Sequence, residues 1–345
     1  MVTSKSKNSS LAFELVSMLQ HQFVLDLGKL CSEDSHHALF KVSSWGRDQG
    51  RHGGGKRYEA LDKDIFNSAN VNVSQVQYED DPDKSLGAAT ALSTIIHPQN
   101  PYAPSLHLHV SYTEFKNGKN YWRLMADLNP SLKTYDVSQK SRFLASLLKV
   151  TGANYKTGLS SGDQYFFIDS LCRHRGVAHF YLEEYETGNF VLDFEFAKAF
   201  SLEIISTYSQ ILKDVLLSQQ RVSDDDLMEQ LAYHTLYFFQ VLTLDRGTVS
   251  GILVHDENDL GILGSLPTYI DRSLLLSWLN KIPESQRPLL NSIIACLSEA
   301  RKCLIDSATK LAIAKALRAF YKSFPSAMAL LARGPVVPKT TLNHL

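Results

Sequence analysis

His107 and His109 stand two residues apart in a run, residues 106–112, whose apolar and polar side chains alternate. A strand sends successive side chains to opposite faces, so Leu106, Leu108, Val110 and Tyr112 share one face and His107, His109, Ser111 and Thr113 the other. Two imidazoles on one face suit chelation of a metal, with His97 as a third ligand. No carboxylate or cysteine spacing completes a metal set around them, so a polar pocket lining is the stronger reading. Asp245-Arg246-Gly247-Thr248 places an acid and a base between two apolar runs, where an unpaired charge is costly. Asp127-Leu128-Asn129-Pro130 ends another run with an acid. Each of these also reads as an ordinary turn with an ion pair or cap. Gly53-Gly54-Gly55-Lys56 lacks phosphate-loop spacing, because Arg57 follows the lysine, and reads as a flexible loop.

These residues need elements to hold them. Leu11, Leu15, Met18, Leu19 and Val24 predict an amphipathic helix over residues 9–30. Residues 46–57 read as a basic, glycine-rich loop, and strands are predicted over 70–77, 91–96 and 106–112. Residues 121–127 pair with the last of these as a hairpin across 116–119. Helical spacing covers 138–172, a strand follows at 176–183, and residues 194–233 form two helices broken near 222–226. Residues 236–244 and 249–254 read as strands joined through Asp245-Arg246-Gly247-Thr248. Beyond Pro267 the pattern is helical almost to Leu331, with Pro283 and Pro288 as interruptions. Strands and helices without a repeated βαβ unit predict an α+β fold, a large antiparallel sheet covered by helices. The composition divides the chain into a body, residues 1–270, and a helical C-terminal extension, residues 271–345, packed on it.

The 345 residues are 44% hydrophobic and 21% charged, which excludes a disordered chain, a collagen and a disulfide miniprotein. A formal net charge of -1 argues against a dedicated nucleic-acid binder. The balance is uneven: residues 271–345 hold 11 lysines and arginines against 4 acids, so the body is acidic and the extension basic. That division reads either as a solvated basic helix face or as a contact between extension and body, in cis or across a dimer. Lys5 and Lys7 precede an apolar stretch, but Glu14, His21 and Asp26 make it too polar for a signal peptide or membrane span. Cys31, Cys172, Cys296 and Cys303 form no C-x-x-C pair, and Cys296 and Cys303 are expected to be buried on one helix face. A cytoplasmic location follows as the default.

From about Trp45 to Pro267 the order of segments resembles the oxygen-dependent coproporphyrinogen III oxidase family. The matching pieces include Trp45-Gly46-Arg47 with its glycine loop, Asn72-Val73-Ser74 and Ile96-His97-Pro98-Gln99-Asn100-Pro101. Leu106-His107, Ala126-Asp127-Leu128-Asn129-Pro130, Tyr165-Phe166-Phe167-Ile168, Arg175-Gly176, Asp245-Arg246-Gly247-Thr248 and Ser265-Leu266-Pro267 follow in the same order. The resemblance implies a large antiparallel sheet with helices on both faces and a homodimer. It implies conversion of two propionates of coproporphyrinogen III to vinyl groups, with oxygen consumed and carbon dioxide released, and no organic cofactor. A manganese site of histidines has been proposed for bacterial members. The reaction removes the pyrrole N–H proton so that the electron-rich ring meets oxygen directly. By resemblance Asp245 is that base, held by Arg246, with Asp127 a second acid and His107 the proton donor. Ser74, His109, Ser111, Arg175 and Arg47 are then expected around the substrate.

The departures bear on the substrate. The family's H-x-N-x-R is His107-Leu108-His109-Val110-Ser111 here, so its arginine is a serine. H-R-G-E has become Ser170-Leu171-Cys172-Arg173, a G-G-R turn has become Asp256-Glu257-Asn258, and the H-F-H motif near 141–145 is missing. An arginine-rich run is now Tyr233-His234-Thr235-Leu236, and two of the four proposed manganese histidines are absent. Each lost contact to a substrate carboxylate removes about 1.5–3 kcal/mol. Tight binding of a tetracarboxylate then needs Arg47, Arg51, Arg123 or Arg173 as a substitute. The expectation is an oxygen-dependent, cofactor-free oxidase of an electron-rich heteroaromatic, such as a pyrrole or indole of a specialised pathway. The alternatives are a coproporphyrinogen III oxidase of haem synthesis and a non-catalytic paralogue.

Overall fold

The structure is a computed structural model that describes residues 1–31, 39–337 and 341. Helix α1, Lys7–Gly28, starts where the Ser6 hydroxyl accepts the Ser9 N–H, and Ala12, Leu15, Val16, Leu19, Phe23 and Leu27 form its buried stripe. Strands β1 (Phe40–Gly46), β2 (Gly53–Ala60), β3 (Phe66–Gln77), β4 (Leu86–Pro98), β5 (Ser105–Phe115) and β6 (Asn120–Asn129) follow. Next come α2 (Val137–Thr151), α3 (Tyr155–Phe166), a small hairpin of β7 (Phe167–Ile168) and β8 (Arg173–His174), and β9 (Ala178–Tyr185). The remainder is α4 (Phe190–Ser218), α5 (Asp224–Thr243), α6 (Arg246–Val254), α7 (Asp259–Ile262), β10 (Tyr269–Asp271), α8 (Arg272–Ser277), α9 (Arg287–Ile294), β11 (Lys302–Leu304) and α10 (Ser307–Ser323). Among the described residues no helix is long and apolar enough to cross a membrane.

A seven-stranded sheet in the order β1-β2-β3-β4-β5-β6-β9, antiparallel throughout, is the frame. Its two faces differ because the strands alternate. Val71, Val73, Leu92, Ile96, Leu106, Leu108, Val110, Trp122, Leu124 and Phe180 face one way and share a core with the buried stripes of α1, α2 and α4. The opposite face is polar and lies under α5 and α6, so helices cover both faces, as the resemblance implied. Phe238, Phe239, Val249, Ile252, Ile270, Leu289, Ile293, Ile313 and Leu317 form a second core, in which α5 and α6 pack with α9 and α10. Burying each such side chain contributes about 1.5–3 kcal/mol.

Residues 236–243 and 249–254 are helical, where sequence alone predicted strands over 236–244 and 249–254. Tyr233 to Thr243 are all buried, so the run is apolar on every side and its periodicity cannot separate a sunken helix from a central strand. The break before it falls where predicted: Ser223 and Asp226 form a reciprocal capping box. The 46–57 loop is largely structure, with the glycines inside β2. Gly53 has a φ of 97°, and a Cβ on Gly55 would stand 2.5 Å from both Trp45 Nε1 and the Val73 oxygen. The glycine run therefore lets three strands close up rather than conferring flexibility. Helix α3 stops at Phe166, short of the predicted 172. Past Pro267, β10 and β11 pair and interrupt the helices; Pro288 opens α9 instead of breaking it. Cys303 sits on β11 opposite Ile270, and Cys296 lies beyond the end of α9, so the two share no helix face.

Candidate active site

Strand register aligns the polar face in rows. Ser74, Ala91, Ser111 and Arg123 stand opposite one another across β3 to β6. Asn72, Ser93, His109, Met125 and Tyr181 form the next row, and Asn70, Ile95, His107, Asp127 and His179 the one after. Above them α5, the turn into α6, and α3 close a cavity of about 260 Å³. Ser74, His107, His109, Ser111, Arg175, Asp245 and Arg246 all line it, although they are scattered over the sequence.

Asp245 caps α6: its Oδ2 accepts the Thr248 N–H at 2.7 Å, and its Oδ1 accepts the Tyr165 hydroxyl at 2.9 Å. A cap here explains Asp-x-x-Thr, the spacing mistaken for a strand turn. Arg246 is not the group that holds Asp245. Its Nη2 lies 3.4 Å from the carbonyl oxygens of both Met328 and Leu331, and among the described residues it makes no ion pair. Tyr165 takes the holding role. Burial, then the adjacent Asp245 charge, pushes its phenol well above the usual range, so it stays a donor at every working pH.

Asp127 is fully buried and does not line the cavity, so it stands behind His107 rather than acting as a second acid on substrate. Its Oδ1 accepts His107 Nδ1 at 2.8 Å, and its Oδ2 meets Arg175 Nη2 at 2.9 Å and Asn129 Nδ2 at 2.7 Å. Burial opposes its charge, but Arg175, His107 and Asn129 outweigh burial and hold the carboxyl below its ordinary range. An ionised Asp127 only accepts, so His107 Nδ1 carries a hydrogen and Nε2 is the atom left for proton exchange. Arg175 is 2% exposed and packs its guanidinium over the rings of Phe166 and Tyr237, at 4.7 and 5.0 Å.

Two expected residues lie elsewhere. Arg47 does not line the cavity; its Nη1 bonds the Val254 carbonyl at 2.6 Å and His255 Nδ1 at 2.9 Å, bracing two residues that do. His97 is buried under α5 with Nδ1 on Ser105 Oγ at 2.9 Å and does not line the cavity. Among the described residues no group of three His, Cys, Asp or Glu is placed to hold a metal ion. Burial, with Arg123 and His107 nearby, drives His109 well below the usual imidazole range, and it sits 3.1 Å from Ser111 Oγ as a neutral partner.

The substitute clamps are also placed. Only Arg123 lines the cavity, and Glu183 takes it through two contacts, Nε–Oε2 at 2.5 Å and Nη2–Oε1 at 2.8 Å, while Tyr181 donates to the same carboxylate. Arg51 pairs with Asp80 at the surface, and Arg173 is exposed on β8 outside the cavity. Tyr165, Tyr181 and Glu183 were not foreseen, because nothing in the spacing of α3 or β9 shows which turn they will meet. Tyr165→Phe removes one hydrogen bond to the Asp245 charge, worth about 1.5–3 kcal/mol. The expected result is a melting temperature lowered by about 2–4 °C, with oxygen uptake reduced because Asp245 has lost one of its two anchors. Full activity would show that Thr248 alone fixes Asp245.

A family model described as coproporphyrinogen III oxidase matches residues 12–278. The oxygen-dependent coproporphyrinogen-III oxidase of Rickettsia bellii is 29% identical over 240 residues, covering 66% of this chain and 83% of that one. The enzyme of the same name from Rickettsia prowazekii is 28% identical over 246 residues, 68% of this chain and 85% of its own. The mitochondrial enzyme of Rattus norvegicus is 28% identical over 253 residues, 67% of this chain and 56% of its own.

Proposed function

Because the chain belongs to the coproporphyrinogen III oxidase family, whose members are oxygen-dependent oxidoreductases, we propose that its cavity oxidises an electron-rich N–H heteroaromatic bearing fewer carboxylates than coproporphyrinogen III. The observation that carries this reading is the state of the cavity arginines. Arg123 is bound to Glu183, Arg175 to Asp127, and Arg246 turns to backbone carbonyls. Freeing a buried arginine from its carboxylate strands the partner charge at a cost of about 3–5 kcal/mol, which a substrate carboxylate has to offset. A pyrrole or an indole makes no such demand.

In this reaction Asp245 takes the ring N–H proton, and the electron-rich ring passes two electrons to O2. Dioxygen leaves as hydrogen peroxide, having gained two electrons and two protons, while the substrate has lost the same. Where a propionate is oxidised, RCH2CH2COOH and O2 give RCH=CH2, CO2 and H2O2. His107 Nε2 is placed to return a proton, oriented by Asp127. The ring supplies the electrons itself, so the reading invokes no organic cofactor. A homodimer is the assembly that the family resemblance suggests for it, and the scattered cysteines favour a cytoplasmic location.

Coproporphyrinogen III itself is the second reading, favoured by the relatives, which are coproporphyrinogen-III oxidases. Incubating purified protein in air with coproporphyrinogen III, and separately with a panel of pyrroles and indoles, divides the two. Oxygen uptake and a new product from the panel, absent with Asp245→Asn, is the expected result. Stoichiometric protoporphyrinogen IX and carbon dioxide from coproporphyrinogen III overturns it, and no product from any substrate leaves a non-catalytic paralogue.

A further inference from the structure

We infer that residues 325–337, with Thr341, form a specificity strap: they back the walls of the cavity and keep it shut to a tetracarboxylate macrocycle. The inference rests on the substrate reading above and names the part of this chain that enforces it. The segment lies outside the family match, which ends at residue 278. Ala327 and Leu331 anchor it in the second core. From there it reaches the catalytic turn, where the Ala332 N–H donates to the Leu244 carbonyl at 2.8 Å, one residue before Asp245. Both carbonyls that face Arg246 Nη2, those of Met328 and Leu331, belong to it. Thr341 Oγ1 bonds Ser250 Oγ at 2.7 Å, on the first helix beyond the turn.

The same segment presses on the opposite wall. Ala332 packs on the cluster of Met125, Tyr165, Phe166 and Tyr181. At Gly334 an added Cβ would stand 3.1 Å from Tyr181 Cε1, so backbone already lies against that ring. Four cavity-lining side chains, Arg246, Ser250, Tyr165 and Tyr181, are thus backed by residues near the C-terminus. Two effects on selectivity follow. The Arg246 charge is drawn toward neutral carbonyl acceptors and withheld from an incoming carboxylate. The Tyr165 and Tyr181 rings cannot swing outward to widen the cavity.

The test uses the full chain and coproporphyrin III, the stable oxidised macrocycle, with binding read from its fluorescence. Ala332→Pro deletes the N–H that reaches Leu244. Leu331 already has φ -69° and ψ 146°, the extended conformation favoured before proline. Ala332→Gly keeps the N–H and serves as the control. Weak binding by the unaltered chain and by Ala332→Gly, with affinity at least tenfold higher in Ala332→Pro, is the expected result. If Ala332→Pro does not unfold cooperatively, Thr341→Val is judged by the same criterion. Folded variants with unchanged affinity overturn the strap alone. Tight binding by the unaltered chain overturns the substrate reading and the strap with it.

Discussion

Asp245→Asn is expected to lower kcat about a thousandfold while the melting temperature stays within a few degrees of the parent. The two halves of that result come from the cap that Asp245 forms and from the base that we propose it to be. As a helix cap it needs only an acceptor for the Thr248 N–H, and asparagine caps as well as aspartate. As a base toward the substrate it needs a negative charge and a free lone pair, which the amide lacks. General base catalysis contributes about 10²- to 10⁴-fold, so the loss falls on turnover. The check is oxygen uptake at saturating substrate beside a thermal melt on the same sample. Activity within threefold of the parent in a folded variant would refute the assignment of Asp245 and leave it a cap.

Asp127→Ala is expected to destabilise the protein by about 3–5 kcal/mol, because it strands a buried guanidinium. Arg175, 2% exposed, would keep only ring faces and no carboxylate. On a chain of this size that lowers the melting temperature by roughly 5 °C. The pH dependence has a fixed sign. The folded Asp127 carboxyl is held below its ordinary value, so its contribution is present above the unfolded pKa. It is lost as pH falls through the folded pKa. The gap in urea midpoint between parent and variant should therefore be widest near pH 7 and shrink below about pH 4. A gap constant across that range would mean that Asp127 is already protonated in the fold.

Much of the sheet was readable because one face of each strand is apolar and the other polar. The alternation at 106–112 located β5, and with it His107, His109 and Ser111 on a common face. Strand order and register then place Ser74 and Arg123 in the same row, which a single strand cannot show. The roof of the site was misread for a physical reason: the second half of α5, Tyr233 to Thr243, is buried all round, and a helix with no wet side loses the period that identifies it. That error hid the cap at Asp245 and the partner at Tyr165. Arg246 beside Asp245 in sequence suggested a pair, yet adjacent residues at a helix start point apart, and Arg246 finds Met328 and Leu331 instead. Arg47 and His97 carried the right chemistry to places outside the cavity lining, a matter of tertiary packing that residue type does not encode.

The two faces of the sheet also divide the molecule's exposure to mutation. Residues on the apolar face answer to the packing of α1 and α4, where a lost side chain leaves a cavity and costs about 2–5 kcal/mol. Residues on the other face, such as Ser74, Ser93, Ser111 and His109, border open space and hold nothing shut. Substitution there changes what the cavity recognises at little cost to folding. A scaffold partitioned in this way can drift from one substrate to another through substitutions at such positions, while the buried pairs of the same face, Asp127–Arg175 and Arg123–Glu183, stay tied to stability.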